Sequence, residues 1–331
     1  MLSSMEKSKA DFSVGIIGGG VAGMSCALWL KQLGYSPVIF DRNKQLGGEL
    51  LRLERPNRWV LGMPNIDSDE LARRYAGHIA LEHIPALLES ELTGIDRAGS
   101  AGFRVSVLLA DGESVSFNFN ALVVATGCKA KGPELFDLLP GFTEVYNAGL
   151  ISFSPLDHLP RLTELAHKPI AVIGGGDNAH FTAKDLATSG ANCSLLTRSQ
   201  AKAGKSIRRE ILDSIEQGRI LEYNGVKLTG FNLESPDSLK ILFTSASESY
   251  EICVRHCFVR AGFNSNTTGL ECFDVFKKLD KLNGYIQTHG SGQTSEPMIY
   301  AAGDVTGPGS QSVVNAIAQG ANVAKEISQI L

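Results

Sequence analysis

FSVGIIGGGVAGMSCALWLKQLGYSPVIFDR, residues 12–42, is the stretch that decides the fold. A short apolar run ending at Ile17 leads through Gly18-Gly19-Gly20-Val21-Ala22-Gly23 into a helix-patterned segment. After a break at Gly34, a second apolar run ends at Asp41. The turn fits GxGxxG. Its first glycine permits a tight turn, its second lets a pyrophosphate approach the backbone, and its third lets helix and strand pack closely. The helix that follows points free N–H groups and a positive dipole end at a phosphate. Asp41 stands eighteen residues after Gly23, where an acid accepts hydrogen bonds from both hydroxyls of a ribose. Glycines alone are a weak signal, but strand, glycines, helix and acid in register are a strong one.

The same grammar recurs in KPIAVIGGGDNAHFTAKDLATSGANCSLLTRS, residues 168–199. Here Gly174-Gly175-Gly176-Asp177-Asn178-Ala179 forms the turn, with Ala179 in the place of the third glycine, a change the fingerprint allows. The position matching Asp41 falls near Thr197-Arg198. Arg198, with Lys202 and Lys205 nearby, suits a 2′-phosphate that an acid would repel, which favours NADPH over NADH. A solvated basic loop is the other reading of that cluster. His180 and Phe181 are bulky residues just inside the second helix, and a second site that no longer binds nucleotide stays open as an alternative.

Each repeat is a strand–helix–strand unit of the kind that builds parallel sheets with right-handed crossovers. The expected fold is therefore α/β, with two Rossmann-like three-layer domains. Between the repeats, FRVSVLLADGESVSF alternates like a hairpin around Asp111-Gly112, and ALVVATG (121–127) reads as a buried strand. Later runs, including YEICVRHCFVRAG, read as further strands. The tail from Met298 reads as a strand, a glycine-rich loop and a helix carrying Val313, Val314, Ile317, Val323 and Ile327 at helical spacing.

Length and composition agree with this. The 331 residues suffice for two domains, and 43% hydrophobic with 20% charged residues is the balance of a folded globular chain. A net charge of −4 speaks against nucleic acid as a partner. No run approaches the roughly 18–20 apolar residues of a membrane span. The opening MLSSMEKSKADF lacks the apolar core of a signal peptide, so a cytoplasmic location is expected. The six cysteines, at 26, 128, 193, 253, 257 and 272, include no CxxC pair and no zinc-spaced cluster, so no metal site is expected. Cys253 and Cys257, read on one strand, would stand ~13 Å apart, too far to bridge. Burial as small hydrophobes is the expected role of these cysteines.

With both turns placed, GGGVAG (18–23), LGGEL (46–50), VVATG (123–127), IGGGDNA (173–179) and AAGDV (301–305) together resemble the two-domain flavoprotein disulfide reductases. The likeness is to thioredoxin reductase and to the thioredoxin-reductase-like ferredoxin/flavodoxin–NADP reductases, and it spans nearly the whole chain. The resemblance implies FAD on the first motif, through Gly18, Gly20, Val21, Ala22 and Gly23, with Asp41 and Arg42 at its adenosine end. It places Gly48, Glu49 and Leu50 near the flavin, with Glu49 where Gln is usual. It sets Ala125, Thr126 and Gly127 at the crossing between domains, and Gly303 and Asp304 on the ribityl–phosphate part. Gln311, Ser312 and Val313 begin a helix whose positive end faces the flavin. Gly174, Gly176, Asp177, Asn178, Ala179 and Arg198 would hold NAD(P)H. FAD contacts at both chain ends imply an NAD(P)H domain, 128–257, inserted into an FAD domain made of 1–127 and 258–331. A homodimer is also implied.

One departure decides among activities. Thioredoxin reductases carry a CxxC before the second motif, whereas here no cysteine stands between Cys128 and Cys193. A dithiol relay needs a thiolate to attack a disulfide, and no other side chain substitutes. Electrons are therefore expected to pass directly to an acceptor, ferredoxin or flavodoxin among them. LGGELLRLERPNRWVLGMPNI resembles the corresponding segment of the ferredoxin-linked enzymes, although Glu54, Arg55 and Trp59 replace their usual Tyr. Trp59 reads as a flavin-stacking or a core residue, Arg52, Arg55 and Arg58 as a basic rim or solvated charge, and His158 as a proton donor or an idle loop residue. Two rival readings stand beside this one: a non-catalytic flavin-binding regulator, and a disulfide reductase using Cys128 or cysteines from a partner.

Overall fold

The computed structural model describes residues 13–53, 56–99, 102–307, 309 and 311–331. The chain divides into two compact units. One runs from the N-terminus to Lys129 and resumes at Asn264–Leu331; the other is the contiguous Ala130–Phe263.

The first unit is built on a five-stranded parallel sheet in the order Ile299–Ala301, Ala121–Val124, Val14–Ile17, Pro37–Phe40, Ala86–Leu87. The strands read as continuous apolar runs because both faces are covered. Alternate residues serve the two layers. Val38, Phe40, Leu122 and Val124 join Phe103, Phe117 and Phe119 of an antiparallel meander, Glu91–Ala98, Gly102–Leu108 and Ser114–Phe119. Val14, Ile16, Ile39 and Val123 join the helices Val21–Gln32 and Val313–Ile330 on the opposite face. The expected Asp111-Gly112 turn closes the meander, with Gly112 at φ +83°. The two helices cross tightly. A side chain at Gly320 would bring its Cβ to 2.3 Å from the Ala22 carbonyl oxygen, and Ser25 Oγ donates to Ile317 O at 2.7 Å. A short hairpin, Pro56–Asn57 paired with Ile66–Asp67, lies between the first helix and the helix Ser68–Leu81 in chain order.

The second unit repeats the plan. Its parallel sheet runs Ile151–Ser152, His256–Val259, Pro169–Ile173, Asn192–Thr197, Ile220–Asn224, so in both units the strand before the glycine turn sits at the centre. Its meander is Lys227–Ser235, Ser238–Ser245 and Glu248–Val254, and its covering helices include Asp177–Thr188 and Lys205–Glu216.

Three differences from the sequence reading stand out. ICVRHCFV is two strands, one ending the meander at Val254 and the other, from His256, entering the central sheet. The reason lies in its patterning: only HCFV is buried on both faces, as a central parallel strand must be. Cys257 is accordingly buried, while Cys253 is exposed, as is Cys272. The return crossing also falls at 263/264 instead of 257/258, because His256–Val259 pairs with Pro169–Ile173. In the terminal helix the buried stripe is Gly320, Val323, Ala324 and Ile327, whereas Val314 is exposed.

The helix crossing gives a test. Gly320→Val should lower the free energy of unfolding by about 1–3 kcal/mol through overpacking, read by urea denaturation. Wild-type stability in that variant would show that the crossing tolerates separation.

Candidate functional site

In the first unit the glycine turn is pinned from three sides. Gly18, at φ +111°, donates its N–H to Phe40 O at 2.8 Å, and a Cβ there would lie 2.3 Å from Ala125 O. A Cβ on Gly23 would stand 2.0 Å from the Gly18 oxygen. Neither position accepts alanine without movement. Gly20 differs: its only close neighbour is Gly48 Cα, at 3.9 Å from an added Cβ, so its outer side is open to a ligand. Asp41 is buried and fixes the loop itself. Its Oδ2 accepts the Gly19 N–H at 2.6 Å, and its Oδ1 accepts the backbone and side-chain N–H groups of Asn43 at 2.8 and 2.7 Å. Oδ1 thereby uses both of its lone pairs, while Oδ2 retains one for a ribose hydroxyl. Arg42 beside it is exposed.

The LGGEL segment docks on this turn. Gly47 donates to Gly19 O at 2.9 Å, and Gly48, at φ +57°, would place a Cβ 2.9 Å from Gly20 Cα. Leu50 turns into a small core with Leu71 and Ala72, leaving Glu49 half-buried. Burial raises the Glu49 carboxyl above its ordinary range; Arg52 opposes this and Asp304 adds to it. Burial also raises Asp304. Cys128 donates its thiol to Asp304 Oδ2 at 3.6 Å, and burial, with the Asp304 and Glu49 charges, pushes that thiol up to about 12. Gly303, at φ +83°, lies against Ala22 and donates to Gln319 Oε1 at 2.6 Å. Asn266 donates to the carbonyl oxygen of Thr126 at 3.1 Å, while the buried Thr126 Oγ1 has no protein partner. A buried hydroxyl left unpaired is costly unless a ligand satisfies it. Ser312 caps the terminal helix, accepting the Asn315 N–H at 3.2 Å, and Gln311 before it is exposed. The open face at Gly20, the unpaired Thr126 hydroxyl and the two helix N-termini, Val21 and Val313, fit a long dinucleotide such as FAD.

In the second unit Gly174, at φ +150°, donates to Leu196 O at 3.0 Å, and its Cβ would lie 2.3 Å from Arg260 O, the same crowding as at Gly18. Nothing lies within 4 Å of a Cβ placed on Gly176, so this turn too has an open outer side. Ala179 is fully buried and fits where Gly23 stands in the first unit. Lys202 donates to Gly175 O at 2.7 Å, and Asp177 Oδ1 accepts the Gly204 N–H at 2.7 Å, so the loop after Thr197 folds onto the turn. That loop carries the exposed Arg198 and Lys202, and the exposed Lys205 opens the helix that follows it. His180 is buried, with Nδ1 at 3.0 Å from Gly176 O, so its ring fills the inner side of the helix start.

Sequence reasoning missed a buried polar cluster in this unit. Arg260 donates through Nη2 to Asp157 Oδ1 at 2.6 Å and through Nε to Thr182 Oγ1 at 3.1 Å. His158, expected as a loop residue, is fully buried, with Nε2 at 3.1 Å from Asp185 Oδ2 and Nδ1 at 3.4 Å from Arg260 Nη2. Burial pulls the Arg260 guanidinium down and Asp157 opposes it. The cluster ties the stretch at 157–158 to the glycine-motif helix; removing one partner would strand a buried charge. Trp59, expected either to stack on the flavin or to sit in a core, is not in a core: it lies exposed at the tip of the Pro56–Asp67 hairpin. Glu54 and Arg55 lie outside the described residues.

The two open glycines separate binding from folding. Gly20→Val should leave the circular dichroism unchanged while the purified protein loses its flavin absorbance. Gly176→Val should keep the flavin and raise KM for the pyridine nucleotide on the order of tenfold or more, a loss of about 1.4 kcal/mol in binding. Flavin retained at full stoichiometry in Gly20→Val would reject the first assignment.

Residues 12–320 match the pyridine nucleotide-disulphide oxidoreductase family. Among curated relatives, the chain is 26% identical over 320 residues to an alkyl hydroperoxide reductase from Pseudomonas putida, covering 96% of this chain but 58% of that longer protein. It is 23% identical over 300 residues to a ferredoxin–NADP reductase of Oenococcus oeni, covering 89% of this chain and 82% of the relative. Among solved structures, thioredoxin reductase of Lactococcus lactis superposes with a TM-score of 0.78 at 21% identity, covering 96% of this chain and 98% of that one. The match in sequence along almost the whole length, together with two glycine turns of one geometry, makes this chain a member of the pyridine nucleotide-disulphide oxidoreductase family.

Proposed function

We propose that the protein oxidises NADPH and passes the electrons to an external acceptor without a dithiol relay, with a one-electron carrier such as ferredoxin or flavodoxin as the natural substrate. The balance is one NADPH and two oxidised carriers giving NADP⁺, one proton and two reduced carriers. Bound FAD supplies the chemistry that joins the steps, accepting hydride and releasing single electrons. The protein's own residues bind and orient. Gly18, Gly20, Val21, Ala22 and Gly23 cradle the FAD pyrophosphate, Asp41 and Arg42 meet its adenosine end, and Gly303 and Asp304 its ribityl–phosphate part. Gly48, Glu49, Ala125, Thr126, Gly127 and the helix start at Gln311, Ser312 and Val313 surround the flavin end. The N-terminus of that helix favours negative charge and so eases reduction. Gly174, Gly176, Asp177, Asn178 and Ala179 cradle the pyridine nucleotide.

The observation that carries the reading is the pairing of two open glycine turns with a chain that has no CxxC. The name of the Oenococcus oeni relative supports the choice of acceptor. Cys128 is a poor replacement nucleophile, since a thiol pushed up to about 12 carries little thiolate near neutrality. His180, one of the two bulky residues at the start of the second helix, is buried, which counts against reading the second turn as blocked. Arg198, Lys202 and Lys205 support NADPH, because a cationic loop beside the ribose stabilises a 2′-phosphate.

Anaerobic mixing with NADPH should bleach the oxidised flavin spectrum, and a spectrum left unchanged would sink the reading. Arg198→Glu combined with Lys202→Glu should lower kcat/KM for NADPH on the order of 10–100-fold, as loss of charge-assisted bonds worth about 1.5–3 kcal/mol implies, with much less effect on NADH. Cys128→Ser should reduce the protein carrier at the wild-type rate; a variant that lost carrier reduction while still reducing ferricyanide would restore a thiol mechanism.

A further inference from the structure

We propose that the hairpin Pro56–Asp67 is the docking surface for the electron acceptor, and that it is shaped for an acidic carrier protein. This rests on the reading above. Its tip is held in a defined shape: Trp59 donates its backbone N–H to Asn57 Oδ1 at 3.0 Å, Met63 donates to Val60 O at 3.1 Å, and Gly62 turns at φ +83°. The tip has two sides. Val60, Met63 and Ile66 pack inward in one cluster with Leu50, Val21 and Val313. Val21 and Val313 are the first residues of the two helices that begin at the FAD cradle, so the hairpin sits on the rim of that cradle. Trp59 and Leu61 point the other way, 82% and 100% exposed.

A lone exposed leucine means nothing. A tryptophan and a leucine held outward together, at the mouth of a redox site, form the apolar anchor on which protein–protein contacts concentrate their energy. Charge selects the partner. Residues 52–67 carry three arginines against two acids, Glu54 and Asp67, in a chain whose net charge is −4. Arg52 and Arg58 are exposed, and the acids Asp69 and Glu70 that follow are bound by Arg73 and Arg74, leaving the exposed Asp67 as the opposing charge on the hairpin. The Arg52 charge is also felt by Glu49, which adjoins Asp304, so the cationic rim reaches the end of the cradle from which electrons leave. An apolar anchor with the exposed Arg58 next to Trp59 in the chain and the exposed Arg52 before the hairpin fits an acidic surface, which these charges would steer during encounter. Each docked carrier takes one electron, and two successive carriers discharge the pair delivered by one NADPH.

The test compares wild type, Trp59→Ser/Leu61→Ser and Arg58→Glu as FAD-loaded proteins, each reducing a [2Fe–2S] ferredoxin or ferricyanide with NADPH. The double variant should lose on the order of tenfold or more in kcat/KM for ferredoxin, the loss of about 1.4 kcal/mol or more expected at an anchor, while ferricyanide reduction stays at the wild-type rate. Arg58→Glu should weaken ferredoxin reduction most at low salt. If wild type reduces ferricyanide but not ferredoxin, the acceptor reading fails and the docking site falls with it. If wild type reduces ferredoxin and the double variant matches it, only the docking site is overturned. It is likewise overturned if the double variant elutes at half the wild-type mass, since the tip would then be a contact between two copies of this chain.

Discussion

Both halves of this molecule depend on one steric demand: a turn that runs so close to the neighbouring strand that no side chain fits. At Gly18 and again at Gly174 a Cβ would lie 2.3 Å from a carbonyl oxygen, of Ala125 in one unit and Arg260 in the other. That approach puts the helix start at the carboxyl edge of the sheet, with its N–H groups unspent and facing outward. The remaining parts arrange themselves around it. Asp41 and Asn43 brace the first loop, the Gly47 and Lys202 amides clasp the carbonyl of the middle glycine in each turn, and Gln319 fixes Gly303.

The same frame is furnished differently in the two units. Where the first has the small Ala125 and the unpaired Thr126 hydroxyl, the second has Arg260, sunk into contacts with Asp157, His158 and Thr182. A guanidinium below the second turn gives that unit a buried positive charge and a fixed partner carboxylate. Such pairs contribute little net stability, but they define one arrangement of the segments they join. The stretch before the second glycine turn is here anchored by charge and hydrogen bonds.

The glycine turns, their strands, the Asp111-Gly112 hairpin and the terminal helix are legible in the sequence because each is written in local signals: spacing, alternation and special backbone angles. What escapes such reading has a common cause. ICVRHCFV looks uniformly apolar, and only the pairing of HCFV with Pro169–Ile173 reveals that two sheets share it. His158, Arg260 and Asp157 are contributed by segments distant in the chain, so their cluster leaves no periodic trace. Trp59 misleads because apolar bulk ordinarily predicts burial, whereas the turn at Asn57 and Gly62 sends alternate residues of the tip outward.

The discontinuity of the first unit has a consequence for synthesis. Strand Ile299–Ala301 pairs with Ala121–Val124, and the helix at Val313–Ile330 closes over Val21–Gln32, contacts spanning more than half the chain. The second unit depends on no such distant sequence and can complete its core while the ribosome is still making the tail. The first waits with one sheet edge and one helix face uncovered until the last residues emerge, which makes that interval the one in which a nascent chain most needs protection from aggregation.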